Sequence, residues 1–421
     1  MGALDKAVRE AIAALPKSIL QKFLARKMTE AGAAMPDDVL AKFAEHIMQR
    51  NEGDFEWDDG SGVDRKISLI FAEEDERNLE EEVNRVIGEI PTAVQSAIVV
   101  ASKKLFGSLV KRWGVEHAAQ KSEVELFRRN LEARWGEGLD YLRMLLTCCR
   151  EMGEEASQRY WRSKAKTYRH RRWVLERLHV RACQVADEII CLIENGFADG
   201  AMARWRTLHE ISVVASLIEG GDEDLAERYI LHDVVEFKRQ ADEFEQSQVP
   251  LGAKPLTGRQ RREIDSDYDA VISRFGPAFA HPYGWASKYL NLKRPTFKEL
   301  HVAAGRADSN SYYKLASFNI HASARSLFFN LSSIGEETIL ISGRSNAGLQ
   351  SPGELTAHAL ALVTALYVES GQNIERLMKI NCLLEIRDAV SSSLRRSERQ
   401  LARDERAIRV RSFRSKSRPK K

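Results

Sequence analysis

AMARWRTLHEISVVASLIEGG, residues Ala201 to Gly221, follows Gly200, ends in a glycine pair and contains no proline. Its apolar residues recur three and four apart, the period of a helix and not the alternation of a strand. The preceding stretch, residues 156–195, enters through ASQRYWRSKAKTYRHRRW and ends at Asn195-Gly196, a pair suited to a left-handed C-terminal cap, so it reads as one long helix. After it, Asp222 to Gln246 continues as a third helix with Tyr229, His232, Val235 and Phe237 on or near one face. These three consecutive elements make the centre of a helical fold.

Further out the pattern holds. Towards the N-terminus, AIAALPKSILQKFLARKMTEAG and PDDVLAKFAEHIMQRN are helical, and Pro36, Asp37 and Asp38 make a good helix start. The acidic, glycine-bearing NEGDFEWDDGSGVD at 51–64 reads as a linker closing that first unit. Helices are expected over residues 68–90, 92–113 and 118–155. Towards the C-terminus, residues 247–305 carry loop signals around short helices, and TILIS, β-branched and bounded by glycines, predicts a small β-hairpin within 332–348. Ser351-Pro352-Gly353-Glu354 has the arrangement of a capping box, Ser351 as the cap and Glu354 reaching back. A last helix from about Gln372 leads into a basic tail.

The expected architecture is therefore all-α: a helical N-terminal unit at 1–64, a multi-helix bundle with one hairpin at 65–390, and a disordered basic tail at 391–421. Charge supports that division. The chain carries +3 in total over 421 residues, yet residues 391–421 hold 12 Lys or Arg against 3 Asp or Glu, a balance of +9 that leaves 3 − 9 = −6 on the rest. Lys6, Arg9 and Glu10 interrupt any secretory apolar run, and the longest apolar run, AHALALVTALYV at 357–368, carries His358 and falls short of the ~20 residues that cross a bilayer. The five cysteines, Cys148, Cys149, Cys183, Cys191 and Cys382, have no CxxC spacing, which fits reduced thiols. The expectation is a cytoplasmic chain without a membrane partner, a cofactor or a metal.

Two constellations carry chemistry. In YYKLASFNIHASARSL, Tyr313, Ser317 and His321 stand one helical turn above each other and align a phenol, a hydroxyl and an imidazole. In ARWRTLHE, Arg206 and Glu210 are four apart and can pair, holding a guanidinium in a direction that suits phosphate or carboxylate. Each has a purely structural reading: a polar ladder satisfied between packed helices, and a salt bridge bracing two of them.

The R-T-L-H-E helix, A-E-R-Y-I-L-H at 226–232 and Y-x3-S-x3-H-A-S at 313–323, in that order, resemble a bacterial helical family, domain of unknown function 5677. The likeness covers about residues 170–375 and lands on Arg206, Glu210, Tyr313, Ser317 and His321. It implies a helical fold and a setting among bacterial antiviral defence cassettes, and it imports no reaction. Arg204 and His209 also satisfy the R-x4-6-H spacing of the HEPN ribonucleases, which resembles a metal-independent RNA-cutting site built by a homodimer, with the imidazole moving a 2′-hydroxyl proton and the arginine stabilising phosphate charge.

A third feature is the block from Arg159 to Arg181, with nine Lys or Arg against Glu176 and with Tyr160, Trp161, Tyr168 and Trp173 interleaved. Arg162, Lys164, Lys166, Arg169, Arg171 and Arg172 are its candidate nucleic-acid contacts, the alternative being a solvated helix face paired with the acidic body. His281 and His301 lie in loop-like sequence without acids at metal-ligand spacing. No Walker loop, GxGxxG, GxSxG or HExxH occurs, which disfavours nucleotide-driven and common hydrolase chemistry. The sequence thus points to a protein that binds or processes nucleic acid through a polar Arg/Glu/His site, with a non-enzymatic helical scaffold as the alternative.

Overall fold

Alanine, leucine, glutamate, arginine and lysine lose little rotamer freedom in a helix, and the breaker-poor stretches of this chain fold accordingly. The structure is a computed structural model that describes the chain apart from residues 1–2, 51–53, 59–61, 64, 163–168, 249–251, 253, 319, 321–323, 328–330, 333–340, 369–373 and 417–421. Helices follow in the order α1 (Ala3–Glu30), α2 (Asp37–Arg50), α3 (Glu73–Arg162), α4 (Arg169–Glu194), α5 (Ala198–Gly220), α6 (Glu223–Leu231), α7 (Asp233–Ser247) and α8 (Gly258–Phe275). Then come α9 (Ser287–Leu290), α10 (Phe297–Ala303), α11 (Asn310–Phe318), α12 (Gln350–Val368) and α13 (Ile374–Lys416). The chain divides into two compact units, Met1–Lys121 and Ser122–Lys421.

In the first unit α1 and α2 form a hairpin around Leu24, Met28, Leu40 and Ala44, flanked by Phe43, Trp57, Ile67 and Leu69. Gly32, at φ +75°, makes the turn between them. Asp75 fixes the start of α3: its carboxylate accepts from the Ala72 N–H at 3.0 Å and pairs with Lys27 at 2.6 Å, both side chains largely buried. The three separate helices expected between residues 68 and 155 are instead the single helix α3, 90 residues long, which runs through Pro91.

In the second unit α5 packs on α4 and α12, α12 also packs on α4 and α13, and the 122–162 part of α3 lends Leu131, Trp135, Leu139, Leu142 and Leu145 to the shared core. Asn195-Gly196 ends α4 as expected: Gly196 has φ +75°, and the Phe197 N–H bonds back to the Leu192 carbonyl at 2.9 Å. A β-carbon at Gly196 would also press on Phe127 and the Ser345 carbonyl. The long helix expected over 156–195 is two helices, α3 ending at Arg162 and α4 starting at Arg169.

Three further expectations are corrected. No strand occurs among the described residues; the flanks of the expected hairpin, 331–332 and 341–348, are irregular, and 333–340 lie outside the described residues. Leu331 and Ser332 are instead tied by their N–H groups to Asp199 on α5. The tail is not disordered from 391: α13 continues to Lys416 because Val390, Leu394 and Leu401 are buried and Arg134 binds Asp404 at 2.7 Å. Glu354 does not cap Ser351, which lies inside α12, but receives Arg395 of α13 through two bonds of 2.9 and 3.0 Å.

Leu394 explains how closely α13 docks. A β-carbon at Gly138 on α3 or at Gly353 on α12 would come within 2.5 Å of its methyl groups, so both helices offer glycine where this side chain lodges. Leu394→Ala is expected to lower stability by about 2–5 kcal/mol. Ending the chain at Val390 should abolish a cooperative melt, whereas ending it at Ala407 should leave the melt of the second unit intact, as read by thermal denaturation.

Candidate functional site

Helix α5 buries Trp205, Leu208 and His209 on one side and keeps Arg206 and Glu210 part-exposed on another. Against it lie two short helices. Helix α10 is started by a capping box in which Thr296 and Glu299 exchange hydrogen bonds, and this places Leu300 and His301 inward. Helix α11 brings Tyr313, whose ring lies 4.9 Å from Phe297 and 5.7 Å from His209.

The result is a compact polar cluster. The Arg206 Nη2 donates to the Tyr313 hydroxyl at 2.7 Å, that hydroxyl donates to the Glu210 Oε1 at 2.7 Å, and Arg206 Nε lies 3.2 Å from the same carboxylate. Beside it the Nε2 atoms of His209 and His301 meet at 2.7 Å. One Nε2 must donate and the other accept, so with both rings neutral they stand in two different tautomers.

Electrostatics keep it so. Burial, then the charges of His301 and Arg306, push His209 down to about 3. Burial and Arg306 likewise lower His301. Burial and the Glu210 carboxylate push Tyr313 up to about 12, so its hydroxyl stays a donor. Burial opposes the charge on Arg206, but its bond to Tyr313 and the nearby Glu210 outweigh this and hold it raised. Arg306 sits with its guanidinium lowered by burial, and Tyr283 is raised by burial and then by Glu210.

The structure thus brings together Arg206, Glu210, Tyr313 and His209 of the residues expected from sequence. Ser317 is one turn from Tyr313 but spends its hydroxyl on the Tyr313 carbonyl at 2.9 Å, and His321 lies outside the described residues. Arg204 turns to Glu188 on α4 and to Thr207, whereas His209 faces His301. Five residues on a helix subtend roughly 140° when reduced to one turn, which puts the two members of the ribonuclease-like pair on different faces. His301, Arg306 and Tyr283 belong to the cluster and were missed as site residues. The capping signal TFKEL ahead of His301 marked the helix that carries it, but nothing local marked its partner.

The basic block divides. The Arg171 guanidinium binds the carbonyls of Glu219 and Gly221, and Arg172 is buried, donating to the Tyr367 carbonyl at 2.6 Å with its guanidinium 4.0 Å from that ring. Both hold helices together. Arg162 and Arg169 are exposed, and Lys164 and Lys166 lie outside the described residues. His281 accepts from Arg294 at 3.1 Å, with no cluster of metal-ligating side chains among the described residues.

A separate cavity of about 580 Å³ between α3, α4 and Tyr367 is lined by His179, Cys183, Glu176 and Ser157. Gly153 lets the His179 ring lie against the α3 backbone, since a β-carbon there would come within 2.2 Å of it. Burial pushes His179 down to about 4 and Cys183 up to about 11, so this contacting pair, 3.7 Å apart, is a neutral imidazole and a thiol.

Residues 172–337 match the model of a family of unknown function, DUF5677, a span that holds the entire polar cluster. It is narrower than the resemblance read from sequence. No curated protein and no solved structure matches the chain.

Between about pH 6.5 and pH 3 the unfolded His209 binds a proton that the folded one refuses, so stability is complete above this window and falls as pH falls through it. His209→Gln is expected to flatten that slope by about one proton in denaturant midpoints measured across the window, with His179 supplying part of what remains.

Proposed function

We propose that this DUF5677 segment binds nucleic acid by seating a backbone phosphate against Arg206. The observation that carries the reading is the Arg206 guanidinium, held in one direction by Tyr313 and Glu210 and, among the described residues, occupied on only part of its N–H fork. Arg306 adds a second, half-buried cation to the same neighbourhood, felt by both histidines. The exposed Arg162 and Arg169 supply sequence-independent backbone contacts elsewhere on this unit.

Processing would require proton transfer, and the His209–His301 pair is the group that could accept or return one. A value of about 3 makes His209 a weak acceptor at neutral pH, so binding is favoured over cleavage. A second reading has its own support. The Tyr313 hydroxyl both accepts and donates, closing the network on itself, which suits a structural latch joining α11 to α5 in a non-enzymatic scaffold.

One experiment separates them. Binding of labelled single-stranded RNA and duplex DNA is measured across a salt series, with cleavage products examined in the same samples. Phosphate binding predicts an affinity that falls steeply with salt and drops roughly tenfold or more in Arg206→Ala, with the melting temperature little changed. The latch predicts no binding even at low salt and a lower melting temperature for both Arg206→Ala and Tyr313→Phe. Cleavage lost in His301→Gln would extend the first reading to catalysis.

A further inference from the structure

Between Glu89 and Lys111 lie 21 residues, IPTAVQSAIVVASKKLFGSLV, of which only Lys103 and Lys104 are charged. This part of α3 belongs to the first unit. It escaped notice as an apolar segment because serines, glutamine and two lysines break it into short runs, none as long as that at 357–368. Helix α3 nevertheless holds an 18-residue window of mean hydropathy 1.3, long and apolar enough by composition to cross a membrane, and none of that window is buried. The usual explanation for such a helix, that it is the core of a soluble fold, does not apply here.

The exposed side chains are large. Ile98, Val99, Val100, Leu105, Phe106, Leu109, Val110 and Trp113 all stand at 44–69% exposure. At roughly 100° per residue, Ile87, Val94, Ile98, Leu105, Leu109, Trp113, Phe106, Val99 and Val110 sweep an arc of about 160°, broader than the narrow seam by which two coiled-coil helices meet. Lys103, Lys104 and Lys111 fall within about 100° of one another outside that arc, Lys103 next to its Val110 edge and Val100 between the lysines, while Arg112 borders the other edge beside Val94. Phe106 and Trp113 lie on the apolar arc, the placement of aromatic side chains at a lipid–water boundary.

Charge points the same way. From Ile90 to Val115 there are four cations, Lys103, Lys104, Lys111 and Arg112, and no acid until Glu116. Crossing a bilayer would carry Lys103 and Lys104 to within about 6 Å of the midpoint of the 21-residue stretch, where each lysine is costly. Lying flat leaves them in the headgroup layer. We infer that residues 90–115 of α3 form an amphipathic segment that docks in the plane of an anionic lipid surface, apolar arc down and lysines towards the headgroups.

The test is flotation of the full chain with vesicles of phosphatidylcholine alone and of phosphatidylcholine with about a third phosphatidylserine, in low and raised salt. Docking predicts recovery with the anionic vesicles, little with the neutral ones, and weakening by salt. Lys103→Glu/Lys104→Glu and, separately, Leu105→Asp should each reduce recovery roughly tenfold or more while helical circular dichroism is unchanged. Recovery that survives both variants would assign lipid binding to cations elsewhere, such as those of α13, and overturn the inference. So would an absence of recovery combined with a concentration-dependent dimer, seen by sedimentation and lost in Leu105→Asp, because a second copy would then cover the arc. Nucleic-acid binding by the second unit can fail without altering any of these outcomes.

Discussion

Helix α5 is apolar around most of its circumference, with Ala201, Met202, Trp205, Leu208, Ile211, Val213, Ala215, Leu217 and Ile218 all buried, and a helix of that character has to be enclosed by neighbours. Helices α4 and α12 cover most of it. What remains is one strip carrying Arg206 and Glu210, and the short helices α10 and α11 close over that strip. The polar cluster therefore exists where the core helix runs out of apolar cover. Its groups are close because the covering helices are short, and they are strongly perturbed because burial on either side leaves little water to shield them.

The two neutral pairs of the second unit obey one rule. His209 with His301, and His179 with Cys183, are buried imidazoles whose protonation would place a charge beside an arginine in a dry surrounding. Each stays neutral and takes part through hydrogen-bond or sulfur contact geometry instead. Arg172 shows the complementary solution, a buried cation stabilised by a carbonyl and a stacked ring. Placing cations and imidazoles together in this way costs desolvation energy that the surrounding core must offset.

Much of this was legible in the sequence where the signal is local. The period of α5, the Asn195-Gly196 cap and the pairing of Arg206 with Glu210 are spacings of three or four residues, and the chain honours them. Tyr313 was legible as a polar residue on a helix face, though not as the bridge between Arg206 and Glu210. What could not be read was set by distant partners. His301 looked like a loop histidine because its meaning comes from His209, 92 residues away. Glu354 carries the local pattern of a cap, but the bidentate arginine of α13 outcompetes the Ser351 backbone N–H for its carboxylate. The basic composition of residues 391–421 suggested disorder, yet leucines spaced along one face were enough to bury that helix as far as Leu401. In α3, proline at 91 reads as a break, but a single proline in a long helix removes one backbone bond and need not end it.

The lodging of Leu394 between Gly138 and Gly353 also has a bearing on how the chain is made. Ser393 and Glu137, hydrogen-bonded beside that contact, are separated by 256 residues, and Arg134 and Asp404 by 270. Helices α4 to α8 can pair with near neighbours as they leave the ribosome and α12 then returns to α4 and α5, but the groove along α3 and α12 stays open until residues near 400 have been synthesised. For the time that takes, its glycine-lined apolar floor faces solvent, so the nascent second unit spends most of its synthesis as an unfinished bundle awaiting its last helix.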